Sequence, residues 1–327
     1  VATLTTLIIL HNCFAATQDV AIDALAVNTL HADERGLANG LMFGGSFAGQ
    51  AVGGGLALMV SSLIGFENSY YFVAGAILLV TVVVVLPMRE PAGAARVIPV
   101  DSRIAQVGRE LRGFLHETWL AFTAVRAAWL ALILAALPIG AQALGLALSS
   151  NLAVELGFDD ARVGQLTVVT TIIGALACVF GGWMSDRYGR HRQLSIAVMI
   201  MALPTLYLAW QLAIGGISLP MKGGAVRTGS VTAVVTAFWI ANLVYSVGMG
   251  YMYGIRAALF MDLTRPAVAA TQFTAYMALS NLATSYSSSL QGWLSDRFGY
   301  PLTLLVDVAM GMACLLLLPF IRVGPPR

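Results

Sequence analysis

The chain has 327 residues, of which 58% are hydrophobic and only 10% charged, too apolar a balance for a water-soluble fold of this size, so it reads as a polytopic membrane protein. A formal net charge of +2, with Lys and Arg dispersed among loops, leaves no basic face for nucleic acid. Cys13, Cys178 and Cys314 fall in apolar runs with no CxxC pair and no His at ligand spacing, which predicts buried free thiols, no metal site and no cofactor.

Nine stretches reach the roughly 20 residues needed to span a bilayer: about 2–28, 36–63, 69–88, 127–149, 163–184, 193–213, 231–257, 271–292 and 302–321. None alternates with strand period, so the expected class is an all-α membrane helix bundle. Pro138, Pro204 and the series Gly248, Gly250 and Gly254 interrupt helices, as bundled membrane helices tolerate. The first residues lack the basic start of a signal peptide.

The first span carries the chemistry. Asn12, Ala16, Asp19 and Asp23 follow helical spacing on one stripe, with His11 and Gln18 beside it, and carboxylates this deep in an apolar helix are costly and point to function. Asp19 and Asp23 have three possible roles: carrying protons, binding a cationic group, or ion-pairing within the bundle. His11 is read as a proton relay or as a hydrogen-bonded packing residue. After the turn HADERG, the next helix sets Gly36, Gly40 and Gly44 on one row and Gly45, Gly49 and Gly53 on another, the pattern that lets helix backbones touch.

The segment 89–126 divides the chain into a unit of three spans, 1–88, and one of six, 127–327. Within it Ile104, Val107, Leu111, Phe114 and Leu115 form an apolar stripe opposite Arg103, Glu110 and Arg112, which predicts an amphipathic helix on the cytoplasmic surface or, failing that, a solvated linker. Grouping the connections 29–35, 89–126, 185–192 and 258–270 with the C-terminal tail collects 13 of the 18 Lys and Arg residues, against four on the opposite side, with Arg256 inside a helix end. The 13-residue side is therefore expected to be cytoplasmic, together with the C-terminus. A shift of 236 positions aligns Arg35-Gly36 with Thr271-Gln272, so spans one to three resemble spans seven to nine. Equivalent halves would put three helices before Val1, about nine of an expected twelve being present.

After the fifth span stands GGWMSDRYGRHRQL, from Gly181 to Leu194. Gly182 and Gly189 serve close packing and turning, Asp186 suits the positive N-terminal end of a neighbouring helix, and Arg187, Arg190 and Arg192 hold the turn inside. These residues resemble the G-x-x-x-D-R-x-G-R loop of the major facilitator superfamily, matched at Gly182, Asp186, Arg187, Gly189 and Arg190; the resemblance implies the connection between helices eight and nine of that fold. A near-copy, GWLSDRFG at Gly292 to Gly299, lies on the outer side and is read as a packed turn.

The residues ATQDVAIDALAV, ERGLANG and the Gly-rich helix are similar to the branch of that superfamily containing the muropeptide permeases, the acetyl-coenzyme A transporters and certain siderophore importers. The resemblance implies a monomeric secondary transporter in the inner membrane, moving a sizeable polar solute by alternating access with protons as the coupling ion. Its coupling or binding candidates are Asn12, Gln18, Asp19, Asp23, Gln142, Arg256 and Gln272; Tyr245, Tyr251, Tyr253 and Asn281 are further path-lining candidates, each equally readable as interhelical glue. No catalytic set is complete. A metal-dependent membrane transferase would need more acidic ligands and an aspartyl protease a second catalytic Asp on another span, while a receptor derived from a transporter is a third reading.

Overall fold

Long apolar runs without alternation fold into helices throughout the residues described by the computed structural model, which are 2–88, 103–123, 126–221 and 232–321. Helix α1 (Ala2–Thr29) is followed by α2 (Arg35–Gln50), which continues through a π-helical turn, Ala51–Leu56, into α3 (Ala57–Ile64), and then by α4 (Phe66–Val80). After α5 (Arg103–Thr123) and α6 (Arg126–Ala136) come a 3-10 turn, Ala143–Gly145, and α7 (Ala147–Glu155). The remainder is α8 (Asp160–Tyr188), α9 (Arg190–Ile214), α10 (Thr232–Asp262), α11 (Ala269–Phe298) and α12 (Tyr300–Ala313). Residues 89–102, and the side chains of Ile104, Val107, Leu111 and Phe114 that define the expected amphipathic stripe, lie outside the described residues.

Among the described residues, five helical segments are long and apolar enough to cross a bilayer: Phe66–Val85, Arg162–Tyr188, Arg190–Ile214, Thr232–Asp262 and Tyr300–Phe320. A sixth candidate is the pair Leu115–Thr123 and Arg126–Ala136, bent by 82°. Helices α1, with 28 residues, and α11, with 30, have ample length but more polar side chains.

The expected span 127–149 is broken. Helix α6 stops at Ala136, Pro138 follows, Gly140 takes a positive φ of 78°, and the helix resumes only at Ala147. Such a break survives at membrane depth only if its freed backbone groups are satisfied by protein. Helix α12 satisfies them: the Gly140 amide donates to the Gly311 carbonyl at 3.1 Å, and the amides of Gln142 and Ala143 both donate to Asp307 Oδ2 at 2.9 Å.

Helix α10 is central and packs on α2, α8 and α9. Phe238 and Phe260 of α10 join Phe273 and Tyr276 of α11 and Tyr300 of α12 in a core with almost no exposure. By contrast Leu7 and Phe14 of α1 and Tyr71 and Leu79 of α4 are exposed. Of the two glycine rows in α2, only the first meets a neighbour: a Cβ on Gly182 of α8 would lie 2.0 Å from the Gly36 carbonyl oxygen, and one on Gly40 would lie 2.4 Å from that of Cys178. A Cβ added at Gly45, Gly49 or Gly53 would meet nothing within 4 Å from another element among the described residues.

This asymmetry sets an expectation for substitution. Gly182→Val should separate α2 from α8 and lower stability by about 1–3 kcal/mol, the usual cost of overpacking, whereas Gly49→Val should leave it unchanged. Thermal unfolding of the two variants in one detergent checks this; equal midpoints would show that the close crossing contributes nothing.

Candidate functional site

At the arginine-rich end, four elements meet through charge. Asp186, near the end of α8, accepts from the amide of Gly36 at 2.9 Å through Oδ1 and from that of Leu37 at 2.8 Å through Oδ2, so it satisfies free N–H donors of the first turn of α2. Gly189 ends α8 with φ of 89° and lets α9 begin at once, which brings Arg190 back over Asp186. The Arg190 guanidinium then spreads its donors: Nη1 to Asp186 Oδ1 at 2.8 Å and Ser185 Oγ at 3.2 Å, Nη2 to the Ala32 carbonyl at 2.7 Å, and Nε to Asp262 Oδ2. Arg35 of α2 donates to the other Asp262 oxygen at 3.0 Å. One network therefore binds the α1–α2 turn, the α8–α9 turn and the end of α10. Arg187 stays outside it, stacked near Trp183 and Tyr188.

Above this closure lies a cavity of about 240 Å³ between α2 and the helices α7, α8 and α10, with the broken segment 144–146 as part of its wall. Gln50, Ser149, Thr170, Asn242, Tyr245 and Ser246 give it hydrogen-bonding groups, Phe47 and Met249 give it apolar surface, and no Asp, Glu, Lys, Arg or His lines it. Ser149 and Asn242 are bonded to each other at 3.2 Å. Nearer the ion-pair network, Phe43 and Phe47 of α2 stand 5.1 and 6.3 Å from the Tyr253 ring of α10. A larger hollow of about 640 Å³ opens on the outer side of α8, α9 and α10 and is lined by Ile173, Leu176, Phe180 and Ile196, so it suits acyl chains and not a polar solute.

The family model of the Major Facilitator Superfamily matches residues 1–288. The chain belongs to the major facilitator superfamily. It is also 29% identical over 311 residues to the anhydromuropeptide permeases of Escherichia coli K12 and Escherichia coli O157:H7, covering 93% of this chain and 57% of each relative. The chain thus spans a little over half the length of these curated relatives. As a superfamily member with several apolar helices it is a multi-pass membrane protein.

Within this superfamily fold the candidate residues separate. Asn12, Gln18 and Asp19 are exposed on α1, while Asp23 is 8% exposed at the end of α1 that packs on α11. Gln142 sits in the break of α6 and α7, bonded to Asp307 through its amide nitrogen and to the Tyr245 hydroxyl at 3.4 Å through its carbonyl. Gln272 is wholly buried as a brace, accepting from the Arg265 amide at 2.9 Å and donating to the Ala121 carbonyl at 3.0 Å and to Tyr276 Oη at 2.9 Å. Tyr251 donates to Gln193 at 2.6 Å beside the apolar hollow, and Asn281 is exposed. Among the described residues Arg256 pairs with neither Asp19 nor Asp23. The near-copy GWLSDRFG forms a turn in which Gly299, at φ of 82°, packs on the Ser218 carbonyl, to which the Tyr300 amide donates at 2.7 Å.

Asp307 escaped the sequence reading, as did the partners of Asp262. Asp307 is a lone acid in the run LLVDVAMGM, a pattern that marks intramembrane function by itself, and Asp262 ends α10. Asp262 has Arg265 three residues on, yet its ion-pair partners are Arg35 and Arg190.

Cys178 reports on the closure, since it is buried where α8 meets Gly40. In a chain with Cys13→Ser and Cys314→Ser, Asp262→Asn should raise the rate of Cys178 alkylation by a polar maleimide roughly tenfold, in line with the loss of a hydrogen-bonded charge. An unchanged rate would mean that the network does not hold α2 against α8 and α10.

Proposed function

We propose that the protein is a secondary active transporter that moves a sizeable polar solute, muropeptide-like or siderophore-like, across the inner (plasma) membrane by alternating access, with protons as the coupling ion. The observation that carries this reading is a polar, uncharged cavity between α2 and the later helices, shut at one end by a network of ion pairs that a conformational change can break. Its volume of about 240 Å³ is below the roughly 300–1,000 Å³ of drug-sized ligand sites, so a sizeable solute enters only when α2 moves away from α7 and α8. We place the arginine-rich end in the cytoplasm, on the charge asymmetry, so the closed network corresponds to an outward-facing state. The units 1–88 and 127–327 are the parts that rock against each other, linked by 89–126, in a protein that acts as a monomer.

Asp19 and Asp23 are the proposed coupling residues, because they are adjacent acidic groups on the helix that leads into the closure and Asp23 is turned into the bundle. The relatives named anhydromuropeptide permease support the choice of probe. In proteoliposomes of the full protein, a pH gradient should drive accumulation of an anhydromuropeptide, and its absence for muropeptide and siderophore probes alike would defeat the reading. Asp23→Asn should abolish gradient-driven accumulation while keeping solute exchange, since an amide cannot carry a proton; full accumulation in Asp19→Asn and Asp23→Asn would remove both from coupling.

Orientation has its own test. Single cysteines replacing Glu67 and Asp159 should react with an impermeant reagent from outside, and one replacing Arg96 only after the membrane is opened. Labelling from the reverse faces would overturn the assignment.

A further inference from the structure

Arg256 is the one arginine at the closed end that is buried, 5% exposed, without a carboxylate among the described residues. Arg35 and Arg190 each hold Asp262, but Arg256 makes no ion pair, and its Nε is enclosed with no hydrogen-bond partner. Its single favourable contact is the Tyr253 ring, whose centroid lies 4.8 Å from the guanidinium carbon. A stacked ring recovers only a small part of what removing a cation from water costs.

The position of this cation is informative. Asn242, Tyr245, Met249, Tyr253 and Arg256 recur at helical spacing and form one stripe of α10, of which the first three line the cavity. Tyr253 lines a smaller void of about 40 Å³ just beneath, together with Gln142. Long helical side chains lean toward the helix N-terminus, and the contact with Tyr253 shows that Arg256 does so, toward this void and the cavity above it. On the other wall Gln142 Oε1 is also buried without a partner. The Tyr253 ring on which Arg256 stacks and Gln142 thus line the same void, with the guanidinium against that ring.

We infer that Arg256 is the binding site for an oxyanion of the transported solute, a carboxylate or a phosphate, with Gln142 accepting from a neighbouring N–H or O–H of the same molecule. The inference rests on the transport reading for its solute, and it narrows the class to anionic polar solutes. The guanidinium fork suits either oxyanion, offering paired donors in one plane.

Binding to the full protein in detergent separates this from transport. The probes are a muramyl dipeptide with a free carboxylate, the same compound as its carboxamide, and a hexose phosphate. Calorimetry on the wild type should give the acid an affinity at least about 30-fold above that of the amide, as expected when a buried charge loses its partner. Arg256→Gln should bring acid and amide within about threefold of each other, and Arg256→Lys should keep part of the difference. Arg256-dependent binding of the phosphate alone would support the site and identify phosphate as its anion. Equal affinity for acid and amide with no phosphate binding in the wild type, or discrimination preserved in Arg256→Gln, would overturn the proposal. Should Arg256→Gln fail to fold, the wild-type and Arg256→Lys comparison decides. Anion-selective binding without any uptake in proteoliposomes would leave this site standing and defeat the transport reading instead.

Discussion

Because Gly36 and Gly182 allow the backbones of α2 and α8 to touch, a carboxylate on α8 can reach the bare first turn of α2, and the remaining contacts of the closed end follow from that approach. An added Cβ at either glycine would force the helices apart and leave Asp186 short of the amides it caps. The amides are free donors aligned with the positive end of the helix dipole, so they stabilise the ionised acid where little water is present. Arg190 can then neutralise it while each of its nitrogens addresses a different element. Lysine in this place has the charge but not the planar fork, and could not hold three elements in fixed register.

The same physical device recurs in the later helices. Asp307 takes up the amides of Gln142 and Ala143, which the break after Pro138 has freed, and Gln291 donates to its other oxygen at 2.7 Å. In both places a carboxylate satisfies backbone donors that a helix end exposes inside the protein. At Asp186 the carboxylate is shared with Arg190, which ties it on to Asp262 and the α1–α2 turn. At Asp307 the contact with α12 is reinforced by the Gly140–Gly311 backbone bond, which makes the break a fixed wall of the cavity. Ionisable groups thus hold the frame while the cavity lining itself is neutral.

How much of this was legible in the sequence depends on whether a feature is local. The all-helical class followed from apolar run lengths, and the superfamily from the GGWMSDRYGR turn, where all the residues of the motif lie within nine positions. Two glycine rows in α2 look alike in sequence, yet only the row of Gly36 and Gly40 meets backbone, because spacing gives a face and not its neighbour. Pro138 and Gly140 were visible but not the unwinding through 142, which depends on Asp307 some 165 positions later. The pairing of Asp262 was equally hidden: its partners Arg35 and Arg190 come from two other helices.

In the proposed transport cycle the network at the arginine-rich end has to be breakable, and its composition fits that demand. Charge-assisted hydrogen bonds contribute about 1.5–3 kcal/mol each, but ion pairs held away from water lose much of that to desolvation, so the net preference for the closed arrangement is far below the sum of its bonds. Reversing a two-state balance from 1:99 to 99:1 takes about 5.5 kcal/mol of differential binding, within reach of a solute that meets several polar groups in one state only. The order of groups along α10 offers a route for that coupling. Neutral donors and acceptors come first, then the Tyr253 ring, then Arg256, and Asp262 lies six residues beyond it, about 9 Å along the helix. In that proposed cycle a solute advancing along this stripe would displace Phe43 and Phe47 of α2 before it reached the cation. Moving those rings would move the helix whose first turn Asp186 holds, so in the proposed cycle occupation of the passage and release of the network act on the same element.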